Sequence, residues 1–148
     1  KVFAYIFEAR HVGGGLPQLL PAEISDYQDF DAAGFSVKSI PVVHGKGTVS
    51  GFRFAGAGGD FAFVTDCNRI EEESLTALEG LEVLVLDALR LRPHPTHLHL
   101  EQSLAYIERV RPRRAYLTHI SHDIRHSEIN DQLPDGVELA YDGLEIQV

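Results

Sequence analysis

Four short apolar runs in this sequence each lead directly into a histidine or an aspartate. Such runs are typical of buried β-strands, and the ends of strands are rigid points from which a sheet can direct several side chains at one place. Imidazole and carboxylate groups are the usual ligands of zinc, and they also suit manganese and iron. The pattern therefore predicts a metal site at one edge of a sheet. The runs are IPVV before His44, AFVT before Asp66, LVL before Asp87 and AYLT before His119.

The remaining hydrophobic pattern predicts a single α/β (α+β) domain over residues 1–148. Three strands of antiparallel type come first, and helices then alternate with strands. The predicted strands are Phe35–Val43, Val49–Ala55, Phe61–Val64, Leu81–Leu86, Ala115–Leu117, Val137–Tyr141 and Leu144–Gln147, and the predicted helices are Glu71–Glu79, Leu100–Val110 and Ser127–Leu133.

Each candidate ligand also has an ordinary structural explanation. His44 could be a strand-end histidine bonded to the backbone, and Asp66 could form an Asx turn before Cys67 and Asn68. Asp87 could cap the following turn. The pair His119 and His122 could belong to a solvated turn.

A second group of histidines lies just before the predicted helix Leu100–Val110, at His94, His97 and His99. A histidine at this position could donate a proton to a leaving group, because helix N-termini attract anions and imidazole titrates near neutrality. The alternative is a proline-stiffened loop with exposed histidines.

Composition restricts the function further. The formal net charge of -9 argues against broad binding of nucleic-acid backbones, which requires basic patches. Cys67 is the only cysteine, so we expect a reducing, cytoplasmic compartment. No apolar run reaches the ~18 residues of a membrane helix, and no signal peptide is visible. The sequence contains no methionine, which predicts that it is a fragment.

Taken in order, these motifs resemble the second half of the metallo-β-lactamase superfamily. Within it, the likeness is to the branch of small phosphodiesterases that includes the cyclic-phosphate diesterase of phosphonate breakdown. The resemblance covers nearly all residues from about Phe35 onward. It rests on the succession PVVHG, FAFVTD, LVLDALR, HPTHLHLEQSL, YLTHISHD and AYDGLEI.

The resemblance implies the C-terminal half of an αββα sandwich that holds two divalent metal ions, zinc or manganese. By position, His44 matches a ligand of the first metal, Asp66 matches the carboxylate that bridges both metals, and His119 matches a ligand of the second. His97 matches the proposed general acid. Asp87 or His122 would orient neighbouring groups.

One departure from the family is large, because its HxHxDH metal motif does not occur in the sequence. In the family this motif lies N-terminal to the region that matches Lys1, and Lys1–Phe7 resembles the segment that follows it. We therefore expect that the domain is partial and lacks an N-terminal half. Either the chain is a piece of a longer protein, or its N-terminal part was lost or left out; a degenerate family member is the less favoured alternative, because the three remaining ligands and His97 are present.

The expected function is metal-dependent hydrolysis of a cyclic or small phosphodiester by the complete protein, with little activity in this chain alone. Two alternatives stay open. One is an ester or thioester hydrolase or quinone-precursor enzyme of the same superfamily, and the other is a non-catalytic metal-binding or interaction module. The expected partners are a small-molecule substrate and a second copy or another chain bound through the exposed sheet.

Overall fold

The computed structural model describes residues 19–148, which form one seven-stranded sheet. The segment Lys1–Phe7 lies outside the described residues. The strands lie side by side in chain order, so neighbours in sequence are neighbours in the sheet. They are β1 Asp29–Ala32, β2 Phe35–His44, β3 Gly47–Phe54, β4 Phe61–Val64, β5 Val83–Asp87, β6 Arg114–Thr118 and β7 Val137–Leu139.

The strand directions decide where the candidate site can form. The pairs from β1 to β4 are antiparallel, and the pairs from β4 to β7 are parallel. Since β2 is antiparallel to β3, and β3 is antiparallel to β4, β2 runs in the same direction as β4, β5 and β6. The C-terminal ends of these four strands therefore lie at one edge of the sheet.

Helices cover one face of the sheet and enclose the hydrophobic core. The helices are α1 Glu72–Ala77, α2 Leu100–Val110 and α3 His126–Ile129, and a 3-10 turn follows at Asn130–Gln132. Alternate strand residues meet α1 and α2, because successive side chains of a strand point to opposite faces. Among the buried members of this core are Ile40, Val64, Leu84, Leu86, Leu78 and Ile107. The predicted α/β fold is confirmed.

The opposite face of the sheet is more open in the described residues. Phe35 and Phe63 are exposed there, and they border a groove of about 430 Å³ with Phe61, Val83 and Val85. Ile146 and Val148 line the same groove. We refer to this surface as the open face.

The C-terminal segment Leu144–Gln147 is not a strand, so this prediction was wrong. A turn forms at Asp142–Gly143, with the Leu144 amide donating to the Tyr141 carbonyl at 3.1 Å. The following residues do not pair back onto β7. Their apolar side chains instead line the groove of the open face, where Ile146 is partly buried and Val148 stays 40% exposed.

The prediction also missed β1. Its sequence, DFDA, has little apolar content, and it is a strand because it pairs along β2 at the sheet edge. Within residues 19–148, no helix has both the length and the apolar character needed to cross a membrane.

Candidate metal centre

The ends of β2, β4, β5 and β6 deliver the predicted side chains to one edge of the sheet. His44 and Asp87 are the last residues of β2 and β5, and His119 directly follows β6. Asp66 lies two residues beyond β4. The ends of β5 and β6 are level, because Asp87 pairs with Thr118 in the parallel ladder.

Backbone hydrogen bonds bring the end of β2 to the segment that carries Asp66. The Val43 amide donates to the Arg69 carbonyl at 2.9 Å, and the Asn68 amide donates to the Val43 carbonyl at 2.8 Å. The Asn68 side chain also accepts from the Gly45 amide at 2.7 Å. These contacts hold the segment after β4 against the end of β2, so His44 and Asp66 become neighbours although β3 and β4 separate them in sequence.

Asp66 and His119 both have left-handed backbone conformations, with φ of 59° and 58°. Residues other than glycine rarely adopt this conformation, although aspartate and histidine tolerate it better than most. It turns the chain sharply immediately after β4 and β6. Strained backbone of this kind is common at functional sites, although Tyr27, Ala33 and Arg111 adopt it elsewhere in the described residues.

The loop between β5 and α2 adds His97 to this cluster. The loop is held by the Leu98 amide, which donates to the Cys67 carbonyl at 2.7 Å, and by the Leu89 amide, which donates to the Leu98 carbonyl at 2.9 Å. The His97 ring centroid lies 4.8 Å from that of His44 and 4.9 Å from that of His119. The His94 ring is also close, at 5.1 Å.

The donor atoms of this cluster fit a divalent metal. One ligand atom each from His44, Asp66 and His97 lies within 4.8 Å of the others. Nε2 of His119 lies 3.6 Å from Oδ1 of Asp66, too far for a hydrogen bond. Close, unbonded imidazole and carboxylate groups of this kind match the ligand preferences of zinc and manganese.

The ring of His44 is oriented by a contact that the sequence does not reveal. Its Nδ1 lies 2.8 Å from the carbonyl oxygen of Thr96, and since a carbonyl can only accept, Nδ1–H is the donor. In the neutral ring Nε2 is then unprotonated and carries a free lone pair. Histidine ligands of metals are commonly oriented by such a backbone carbonyl.

Asp87 lies behind this cluster and is fully buried. The Cys67 thiol and the Cys67 amide donate to its two carboxylate oxygens at 3.3 and 3.4 Å. Burial raises the pKa of Asp87 to about 6, although the hydrogen bonds from Cys67 act in the opposite direction. Burial, and then the charge of Asp87, raises the pKa of the Cys67 thiol, so Cys67 is a neutral hydrogen-bond donor.

His97 lies between the buried and the exposed parts of the cluster. Its Nδ1 is 3.6 Å from Asp87 and 4.0 Å from Asp66, and this buried nitrogen has no hydrogen-bond partner among the described residues. Burial lowers the pKa of His97, and the neighbouring His119, His44 and His94 lower it further. The neutral ring retains one N–H and one lone pair, so it has the chemistry of a proton donor and of a ligand.

Other histidines that the sequence suggested do not join the cluster. The side chain of His122 is 95% exposed, and its polar contact in the described chain is with Asp123, so it orients none of the grouped residues in this structure. His99 is the N-cap of α2 and forms a capping box with Gln102. Asp87 and His122 were both predicted to orient neighbouring groups. Asp87 lies 3.6 Å from His97, whereas His122 contacts none of the clustered residues described.

Comparison with known proteins identifies the family. A family model described as a β-lactamase superfamily domain matches residues 1–120. The chain belongs to the metallo-β-lactamase superfamily. Most members are metal-dependent hydrolases, and divalent metals such as zinc are typical of them.

Three proteins illustrate the range of similarity. A diphosphatase of the PhnP family is 39% identical to this chain, with a TM-score of 0.82 over 97% of this chain and 50% of its own. Zinc-bound PqqB from Methylobacterium extorquens has a TM-score of 0.63 at 20% identity, over 84% of this chain and 51% of its own, and shares the fold. A protein named octanoyltransferase from Porphyromonas gingivalis (strain ATCC BAA-308 / W83) is 31% identical over 88% of this chain and 26% of its own length. The chain thus spans half of the diphosphatase and about a quarter of the octanoyltransferase.

Proposed function

We propose that the full-length protein hydrolyses small or cyclic phosphodiesters at a site that holds two divalent metal ions, zinc or manganese. The observation that carries this proposal is the grouping of His97 with His44, Asp66 and His119, which lie at strand ends, in a chain that is 39% identical to a diphosphatase. The net charge of -9 favours a small substrate over a nucleic-acid chain.

His44, Asp66 and His119 would hold the metals. The unprotonated Nε2 of His44 and the half-exposed carboxylate of Asp66 are suited to this task. Two such ions would supply an activated water and neutralise charge on the phosphoryl oxygens. These three residues give each metal fewer protein ligands than the usual three, so we expect residues 1–148 alone to bind metal weakly and to turn over poorly.

His97 would donate a proton to the leaving oxygen. It faces both the candidate ligands and Asp87, whose carboxylate lies 3.6 Å from Nδ1. A phosphoryl anion bound beside His97 would favour its protonated form, which offsets the effect of burial on its pKa. Asp87 would then orient the ring and balance its charge.

The first experiment tests the metal site with two histidines that are close in sequence. We expect His119→Asn to reduce metal content and abolish turnover of bis(p-nitrophenyl) phosphate by the full-length, metal-loaded protein. His122→Asn should retain both properties, because the side chain of His122 is exposed and lies outside the cluster. Metal analysis after dialysis that finds equal stoichiometry in both variants would overturn the ligand assignment.

A second experiment separates a proton donor from a ligand at His97. For His97→Gln, we expect unchanged metal content. Turnover of phosphodiesters whose leaving group is a basic alkoxide should fall on the order of 10²–10⁴-fold. The loss should be smaller with p-nitrophenolate, which leaves without needing a proton. Loss of bound metal, or equal losses for the two leaving groups, would contradict the role of general acid.

A thioester hydrolase is the second candidate, and the relative named octanoyltransferase favours it. An octanoyl thioester assayed beside bis(p-nitrophenyl) phosphate discriminates between the two. Turnover of the thioester alone, lost in His119→Asn, would replace the phosphodiesterase proposal.

For partners and location, we propose that residues 1–148 self-associate through the open face and work in a reducing, cytoplasmic compartment. Exposed aromatic side chains at Phe35 and Phe63 favour association, because contiguous apolar surface tends to be covered. Light scattering should show a dimer or larger species that Phe63→Glu dissociates. A monomer at all concentrations would contradict self-association.

A further inference from the structure

A cleft adjoins the candidate metal centre on the side of His119. Its volume is about 340 Å³, within the range of small-molecule sites. The end of β6 provides one wall, with Thr118 and His119, and the residues after β7 provide the other, with Tyr141 and Asp142. Because His119 lines the cleft and also faces Asp66, a substrate bound at the cluster would extend into this space.

Tyr141 is the large side chain of this cleft, and it is 59% exposed. Its ring meets the ring of His126 edge to face, with centroids 6.0 Å apart and planes at 80°. His126 is itself held by a hydrogen bond between Nε2 and the Leu139 carbonyl at 3.0 Å. The contact restrains the plane of the tyrosine ring and leaves more than half of the residue open to solvent.

The backbone around Tyr141 is tied to the strand that precedes His119. The Ala140 amide donates to the Leu117 carbonyl at 2.8 Å, and the Leu139 amide donates to the Asn130 side chain at 2.8 Å. A turn follows, closed by the Leu144 amide on the Tyr141 carbonyl. Hydrogen bonds of the backbone, one of them to the Asn130 side chain, therefore hold Tyr141 beside the end of β6.

We propose that Tyr141 is a specificity-determining residue that stacks against a planar ring in the non-leaving part of the substrate, as in a nucleoside phosphodiester. The proposal rests on the phosphodiesterase function proposed above. An exposed aromatic ring with a restrained plane offers a stacking surface at low entropic cost. Asp142, in the same cleft, offers an acceptor to the N–H groups of a heterocycle.

The test compares two substrates that share a leaving group, in the full-length, metal-loaded protein. Thymidine 5′-(p-nitrophenyl phosphate) has a planar base in its non-leaving part, and methyl p-nitrophenyl phosphate has none. We expect Tyr141→Ala to lower kcat/KM for the thymidine ester by about tenfold, mainly through KM, because base stacking is lost. The methyl ester should be unaffected.

Tyr141→Phe is the matched control, since it retains the ring and removes the hydroxyl group. It should keep wild-type kcat/KM for both esters. Equal losses for both esters in Tyr141→Ala, or no loss for either, would overturn the stacking role while leaving the proposed function intact. If the wild-type protein hydrolyses neither ester, the proposed function fails, and the inference fails with it.

Discussion

The candidate site has two sides that differ in burial and in chemistry. The inner wall consists of Cys67, Asp87 and Leu98, which are fully buried. The outer rim consists of Asp66, His119 and Tyr141, whose side chains reach solvent. His97 lies between them.

The difference separates a buried side, which is held in position, from an exposed side, which a substrate can reach. The inner wall is held by hydrogen bonds between the thiol, the amide and the carboxylate and by apolar packing, so it positions the loop that carries His97. The outer rim relies on strand ends and left-handed backbone to direct side chains outward. The inner wall should therefore control stability, and the outer rim should control ligand binding.

The largest effect is expected at Leu98, which is fully buried beside His97. Leu98→Ala should lower the free energy of unfolding by about 2–5 kcal/mol, because it removes a packed side chain and leaves a cavity. Leu91→Ala is the control, since Leu91 belongs to the same loop and is exposed. It should change stability by less than about 0.5 kcal/mol in urea unfolding. Equal losses in the free energy of unfolding for the two variants would contradict the greater structural role of the buried position.

A pH dependence of stability is expected from Asp87, whose pKa burial raises from 3.8 to about 6. The folded protein then binds this proton more tightly than the unfolded chain. The free energy of unfolding should fall as pH rises from about 4 to about 6, by roughly 2–3 kcal/mol in metal-free protein. Asp87→Asn removes the titrating group and should flatten this part of the profile. An unchanged profile in the variant would show that Asp87 is not the source.

A smaller effect is expected from the backbone of His119, with its φ of 58°. Glycine accepts this conformation and alanine does not, so His119→Gly should be more stable than His119→Ala by about 1 kcal/mol. Thermal unfolding without metal measures the difference. An alanine variant as stable as the glycine variant would mean that the left-handed turn is absent in solution.

The smallest effect is expected at Tyr141 on the outer rim. Because the ring is largely exposed, Tyr141→Ala should change the free energy of unfolding by less than about 0.5 kcal/mol. A larger loss, measured in the same urea titration, would place Tyr141 among the structural residues and would weaken its assignment to substrate binding.

Much of the fold could be predicted because local patterns agree with tertiary packing. The helix Leu100–Val110 has the predicted bounds, since its amphipathic pattern ends just before Pro112. The strands that end near His44, Asp66 and His119 were also predicted, because their apolar runs are buried in the sheet. The strand β1 and the course of Leu144–Gln147 could not be predicted, because pairing partners and the groove of the open face decide them.

The sequence by itself determined which residue types follow the strands and the family to which the chain belongs. Strand periodicity and the order of motifs are local properties that a linear sequence records. Tertiary structure alone decided that Thr96 orients His44, that Cys67 donates to Asp87 and that Tyr141 faces the cleft beside His119. These contacts join residues that are distant in sequence or belong to different elements. Their geometry depends on strand direction, on register and on how the loops are held. Local sequence patterns do not encode these properties.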